Sequence, residues 1–201
     1  MEEESTNITD SSESTKEQIL ALAIKLFASK GYGSVGIQEI VTEAGISKPT
    51  LYYHFGSKKG LLEAIIKEKA EPLCQDIARA AEYKHDFIAG LKEILTTMIN
   101  YAKKDPDFFR LHCILSNAPD NSEELKLYLG ITQRIMSAIS GFFIESTSEF
   151  GNMRGKEALY SITFYANVTA QAMFAARDTL PVTDETLHWI VHSFVYGVAN
   201  G

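Results

Sequence analysis

Residues 37–44 and 48–54 each carry apolar side chains at helical spacing, and only Gly45-Ile46-Ser47 separates them. Two short helices joined by a three-residue turn are helix-turn-helix grammar. Gly45 lets the chain turn sharply, and Ile40, Ala44, Ile46 and Leu51 can pack both helices against their neighbours. Ala44 is small where the helices cross, so they can approach closely.

The flanks supply those neighbours. Thr15 and Gln18 have the spacing of a capping box, which predicts a helix start there. Ile19, Leu22, Ala23, Leu26 and Phe27 then fall on one helix face, and Gly31 suits the left-handed position that ends it. Ser47 predicts a cap for the third helix, with Pro49 in its first turn, and Leu51 and Phe55 point inward. After Gly56-Ser57, the residues Leu61, Leu62, Ile65 and Ile66 begin a long fourth helix.

Helical period continues to the end. Helices are expected over 85–103, from Asp105-Pro106-Asp107 through Ile114, from Ser122 to about Phe150, and over 156–177 and 184–199. Polar and apolar residues alternate nowhere for more than a few positions, so the fold class is all-α, with about nine helices. Three parts are expected: an unordered acidic arm at 1–14, a helix-turn-helix domain at 15–60, and a larger helical domain at 61–201.

The net charge of −7 argues at first against an acidic polymer as partner, but its distribution matters more. Residues 1–14 hold five acids and no base, while residues 15–70 hold eight Lys against five Glu. Positive charge is thus gathered in the segment that contains the turn, as an electrostatic footprint for phosphates requires. No run approaches the roughly 18 apolar residues that cross a bilayer, and Met1-Glu2-Glu3-Glu4 is no cationic leader, so a cytoplasmic protein is expected. Cys74 and Cys113 have no partners at metal-ligand spacing and read as small hydrophobes. No cofactor and no metal is expected.

With Leu51 and Phe55 inward, the opposite face of the third helix carries Lys48, Thr50, Tyr53 and His54. These donors can reach base edges or phosphates from a major groove. Ser57 and Lys58 open the next helix, where a helix N-terminus plus an ammonium makes a phosphate clamp. Tyr52 is open between core packing and DNA contact.

The residues Leu26-Phe27, Gly31-Tyr32, Ile37, Ile40, Ala44-Gly45-Ile46-Ser47, Leu51-Tyr52-Tyr53-His54-Phe55, Ser57-Lys58 and Leu61-Leu62 together resemble the TetR family of bacterial transcription regulators. The resemblance implies a homodimer on a palindromic operator, usually a repressor released by a small molecule. It assigns DNA contact to Ser47, Lys48, Pro49, Thr50, Tyr52, Tyr53, His54 and Lys58, and dimerisation to helices 156–177 and 184–199. Two positions depart from the pattern. Gly36 stands where a capping Thr is common, and Pro49 where Gly is common; both bear on which operator is read.

On the last two helices Tyr160, Phe164, Val168, Phe174, Trp189, Phe194 and Tyr196 are aromatic and apolar enough for an interface. His188 and His192 share a face at a spacing that suits a metal, but no Glu follows His188, and a subunit interface is the plainer reading. Candidates to line an effector pocket are Met98, Tyr101, Phe108, His112, Tyr128, Asn167 and Gln171, with Phe109 and Ile131 beside them. Such walls suit a largely apolar effector; plain core packing is the alternative for each. A constitutive DNA-binding module without effector shares the N-terminal argument. An all-helical enzyme is the remaining class, and no nucleophile–base pair, paired carboxylates or Gly-rich phosphate loop marks one.

Overall fold

The computed structural model describes residues 3–147 and 153–197, with side chains from residue 13 onward. The N-terminal part comprises α1 (Glu3–Lys30), α2 (Ile37–Ala44), α3 (Lys48–Phe55) and α4 (Lys58–Ile65). A π turn (Ile66–Ala70) leads into α5 (Glu71–Ala80), followed by α6 (Phe87–Lys104) and α7 (Pro106–Ser116). The remainder is α8 (Glu123–Ser146), α9 (Glu157–Ala176) and α10 (Asp184–Tyr196), and no strand occurs among the described residues. Because α4, the π turn and α5 run on without leaving helical dihedrals, the described residues form nine helical rods.

The π turn has a local cause. Pro72 has no amide to give the carbonyl four residues back, and its ring would crowd that carbonyl in a regular helix. The preceding amide of Glu71 instead reaches five residues back to the Ile66 carbonyl, which widens the rod just before the proline.

α1 differs from expectation at its start. The helix runs from Glu3, so Thr15 lies inside it rather than at its cap, and residues 3–14 continue it where an unordered arm was expected. Helix propagation adds one hydrogen bond per residue once a buried segment such as Ile19–Phe27 has nucleated it. Residues 1 and 2 of that arm lie outside the described residues.

α6 is the central element, packed against α5, α7, α9 and α10, while α1 packs on α7 and carries α2 and α4. Phe87 stacks on Phe142, and Phe143 meets Phe164 and Phe194 edge-on, so aromatic rings from four helices share one core. By length and composition α8 alone among the described helices is apolar enough to cross a membrane, although no long apolar run was expected. Its buried Tyr128, Ile131, Ile135, Ile139, Phe142 and Phe143 make it a core helix, clamped by α5, α7 and α9.

Candidate nucleic-acid interface

The turn between α2 and α3 is built as its residues require. Gly45 has φ 65, the left-handed conformation that costs a side-chain-bearing residue about 1 kcal/mol or more. Ser47 caps α3, its Oγ accepting from the Thr50 amide at 3.2 Å, and Pro49 occupies the first turn. Ser57 caps α4 in the same way, accepting from the Gly60 amide at 2.9 Å. A Cβ on Gly60 would stand 2.0 Å from the Phe55 carbonyl oxygen, so glycine there lets α4 begin directly against the end of α3. Gly36 caps α2 without a side-chain bond, as its lack of a hydroxyl dictates.

These caps and turns fix which face of α3 is presented. Leu51 and Phe55 are buried, and Lys48, Pro49, Tyr52 and Tyr53 are exposed, Tyr53 at 81%. Tyr52, open between core and surface from sequence, is 46% exposed. Thr50 is half-buried, its hydroxyl 2.8 Å from that of Ser47, and His54 is half-buried between the rings of Tyr53 and Phe55. On the neighbouring α2, Gln38 and Thr42 are also exposed and hydrogen-bonded to each other, two outward polar positions that the sequence reading passed over.

Lys58 is turned away from this face. Its ammonium lies 4.1 Å from the centroid of the Tyr32 ring, and burial pulls its proton affinity down against the pull of Glu124 and Glu123. The Tyr32 hydroxyl in turn donates to Glu123 Oε2 at 2.7 Å. No spacing rule links residues 32, 58 and 123, so only the folded chain reveals the cluster.

The residues proposed from sequence for an effector fall in three places. Met98, Phe108, His112 and Tyr128 are buried together in the body, and Phe109 and Ile131 join them. His112 Nδ1 is 2.7 Å from the Tyr128 hydroxyl and Nε2 is 3.2 Å from that of Tyr165. Complete burial pushes the His112 pKa down to about 4, and partial burial pushes that of Tyr165 up to about 12, so the trio is neutral. Tyr101 is half-buried and bonded to Asp76. Asn167 and Gln171 lie elsewhere, in an open hollow of about 480 Å³ between α9 and α10 that Leu180, Trp189 and Ile190 also line.

The last two helices present an apolar outer surface. Leu159, Ile162, Phe174, Trp189 and Tyr196 are each at least half exposed. Phe164 and Val168, expected on that surface, face the core instead, and Tyr160 and Phe194 pack against Phe143. His188 and His192 stand side by side, ring centroids 5.7 Å apart, and no cluster of three metal-binding side chains occurs among the described residues.

Residues 19–65 match the family described as "Bacterial regulatory proteins, tetR family". The chain is similar to the HTH-type transcriptional activator FasR of Mycolicibacterium smegmatis, at 31% identity over 94 residues, which cover 47% of this chain and 43% of that one. It is also similar to the negative transcriptional regulator IcaR of the biofilm operon icaADBC of Staphylococcus aureus, at 31% over 105 residues, covering 52% and 55%. The chain therefore spans about half the length of these relatives. Among solved structures, the fold resembles that of the transcriptional regulator FadR from Bacillus subtilis in complex with stearoyl-CoA. The TM-score is 0.69 at 17% identity, over 90% of this chain and 98% of that one.

Proposed function

We propose that this chain, whose residues 19–65 belong to the TetR family, is a ligand-responsive transcriptional repressor that grips a palindromic operator as a homodimer. The observation that carries the reading is the outward face of α3. A rigidly capped helix presents Lys48, Tyr52, Tyr53 and the edge of His54, which is the material of groove recognition, on a domain with two polar-capped helix starts beside it. Ser47, Pro49 and Thr50 complete the contact surface.

The homodimer forms through the apolar outer faces of α9 and α10. Aromatic residues rimmed by polar ones are what an obligate interface buries. The two recognition helices must then stand about 34–36 Å apart to enter successive major grooves. The effector is largely apolar with one hydrogen-bonding group, seated at the His112–Tyr128–Tyr165 trio, where the Phe109 ring lies beside His112 and Met98 and Phe108 belong to the same buried core. FadR, in complex with stearoyl-CoA, supports an apolar effector in such a fold. Because those residues are sealed in this conformation, the effector selects a more open one, and lowers DNA affinity by its differential affinity for the two. Such a protein acts on DNA in the cytoplasm and needs no cofactor.

The test is selection from random duplexes with the purified protein, followed by transcription from the recovered promoter. A palindrome with half-sites one helical turn apart, whose promoter is silenced by the protein, is expected. A protein that enriches no sequence and binds duplex DNA with no salt dependence would overturn the reading.

A further inference from the structure

Besides the packing of α1 on α7, the N-terminal domain meets the body at a compact polar joint. The Lys58 ammonium lies over Tyr32, with Phe27 beyond it at 6.0 Å. Tyr32 is tied by its hydroxyl to Glu123, across 91 residues of sequence. Glu123 and Glu124 are the first two residues of α8, whose cap is Ser122. The N-terminus of a helix is where negative charge is favoured. Its lysine neighbour on α4, Lys59, is already paired with Glu63 at 3.7 Å, which leaves Lys58 as the α4 cation facing the body.

We propose that Tyr32 and the Glu123–Glu124 pair form a latch that holds Lys58 against the body and competes with DNA phosphate for its ammonium. The inference rests on the DNA-binding reading above. One ammonium cannot both sit on the Tyr32 ring, within the field of Glu124 and Glu123, and reach out to a phosphate. The acidic pair offers Lys58 the same charge that a DNA backbone would offer. Binding DNA with full electrostatic contact therefore requires α4 to give up its hold on α8.

The latch also couples the two halves of the molecule. Next to it lies a hollow of about 600 Å³, lined by Tyr32 and Ser34 on one side and by Arg110, Ile114, Glu124 and Met173 on the other. Any movement of the start of α8 relative to the turn after α1 changes how firmly Lys58 is held. A bistable contact of this kind is what a spacing switch needs.

The experiment compares four full-length proteins on a mixed-sequence duplex over a series of salt concentrations: wild type, Glu123→Gln with Glu124→Gln, Lys58→Ala, and the triple variant. The double glutamine variant is expected to bind about tenfold tighter, with a salt slope steeper by about one released counterion. Lys58→Ala should cancel that gain in the triple variant. Tyr32→Phe, which removes one oxygen, should move affinity the same way by a smaller factor. An equal gain in the Lys58→Ala background would overturn the latch, because it would show general repulsion between the carboxylates and DNA. No gain in either background would overturn it too. If none of the four binds duplex DNA at low salt, the DNA-binding reading itself falls, and the latch with it.

Discussion

On α3 the outward side chains are Lys48, Pro49, Tyr52 and Tyr53, and the apolar Leu51 and Phe55 are buried. On α9 apolar side chains lie outward as well as inward: Leu159, Ile162 and Phe174 are exposed, while Phe164, Val168 and Ser161 are buried, the Ser161 hydroxyl donating to the Glu157 carbonyl at 2.6 Å. Both helices bury apolar side chains and are made of ordinary residues. The difference lies in what each leaves uncovered. A polar face on a short, capped helix suits a charged polymer, whereas exposed aromatic and aliphatic side chains on long helices suit a second apolar surface. The proposed function gives each of these surfaces its own partner.

The contrast breaks most readily at the apolar end. Ile162→Asp combined with Trp189→Asp, at positions 59% and 50% exposed, should leave the monomer fold intact and abolish dimerisation. The expected loss is roughly 2 kcal/mol or more per residue, since a desolvated charge opposes a buried contact. Sedimentation would read it as a halved mass, and an unchanged mass would move the interface elsewhere.

Acid should strike the body next. The His112 imidazole takes a proton only below about 4 in the folded chain, against roughly 6.5 when unfolded. Between those values the unfolded chain binds more protons. Stability is therefore complete above the unfolded value, falls as pH drops through the window, and levels off below the folded one. The total is roughly 3 kcal/mol. Urea midpoints at neutral and mildly acid pH should converge by part of that amount in His112→Gln. Parallel losses in wild type and variant would remove the buried histidine from the account.

The smallest effect separates the two regions by function. Ser47→Ala and Thr183→Ala each delete one N-cap, of α3 and α10, and each should cost about 1 kcal/mol. Only the first should also weaken DNA binding, because only the first loosens the helix proposed to enter the groove. Equal effects of the two variants on DNA affinity would mean that α3 is not that helix.

The N-terminal domain was readable from residue order because its determinants are local. Ser47, Gly45 and Pro49 act within one turn of themselves, and the inward register of Leu51 and Phe55 sets the outward register of Tyr53 by helix geometry alone. The body was readable only as helices. Phe164 and Val168 share a helix with Leu159 and Ile162, and the sequence does not say which pair faces α6. Asn167 and Gln171 were grouped with His112 by their chemistry, yet they line a hollow on the opposite side of α9. The start of α1 was placed too late because a capping pattern at Thr15 is silent when the helix continues through it.

By itself, then, the sequence determined the all-α class, the helix-turn-helix, the Ser47 cap, and the outward face of α3, since each depends on neighbours within a few residues. Tertiary structure alone decided the rest. It decided that Lys58 lies over Tyr32 rather than free in solvent, that Tyr32 reaches Glu123, and that His112 sits between Tyr128 and Tyr165. Those contacts join helices whose relative placement depends on how the whole core packs, and no local period encodes that packing.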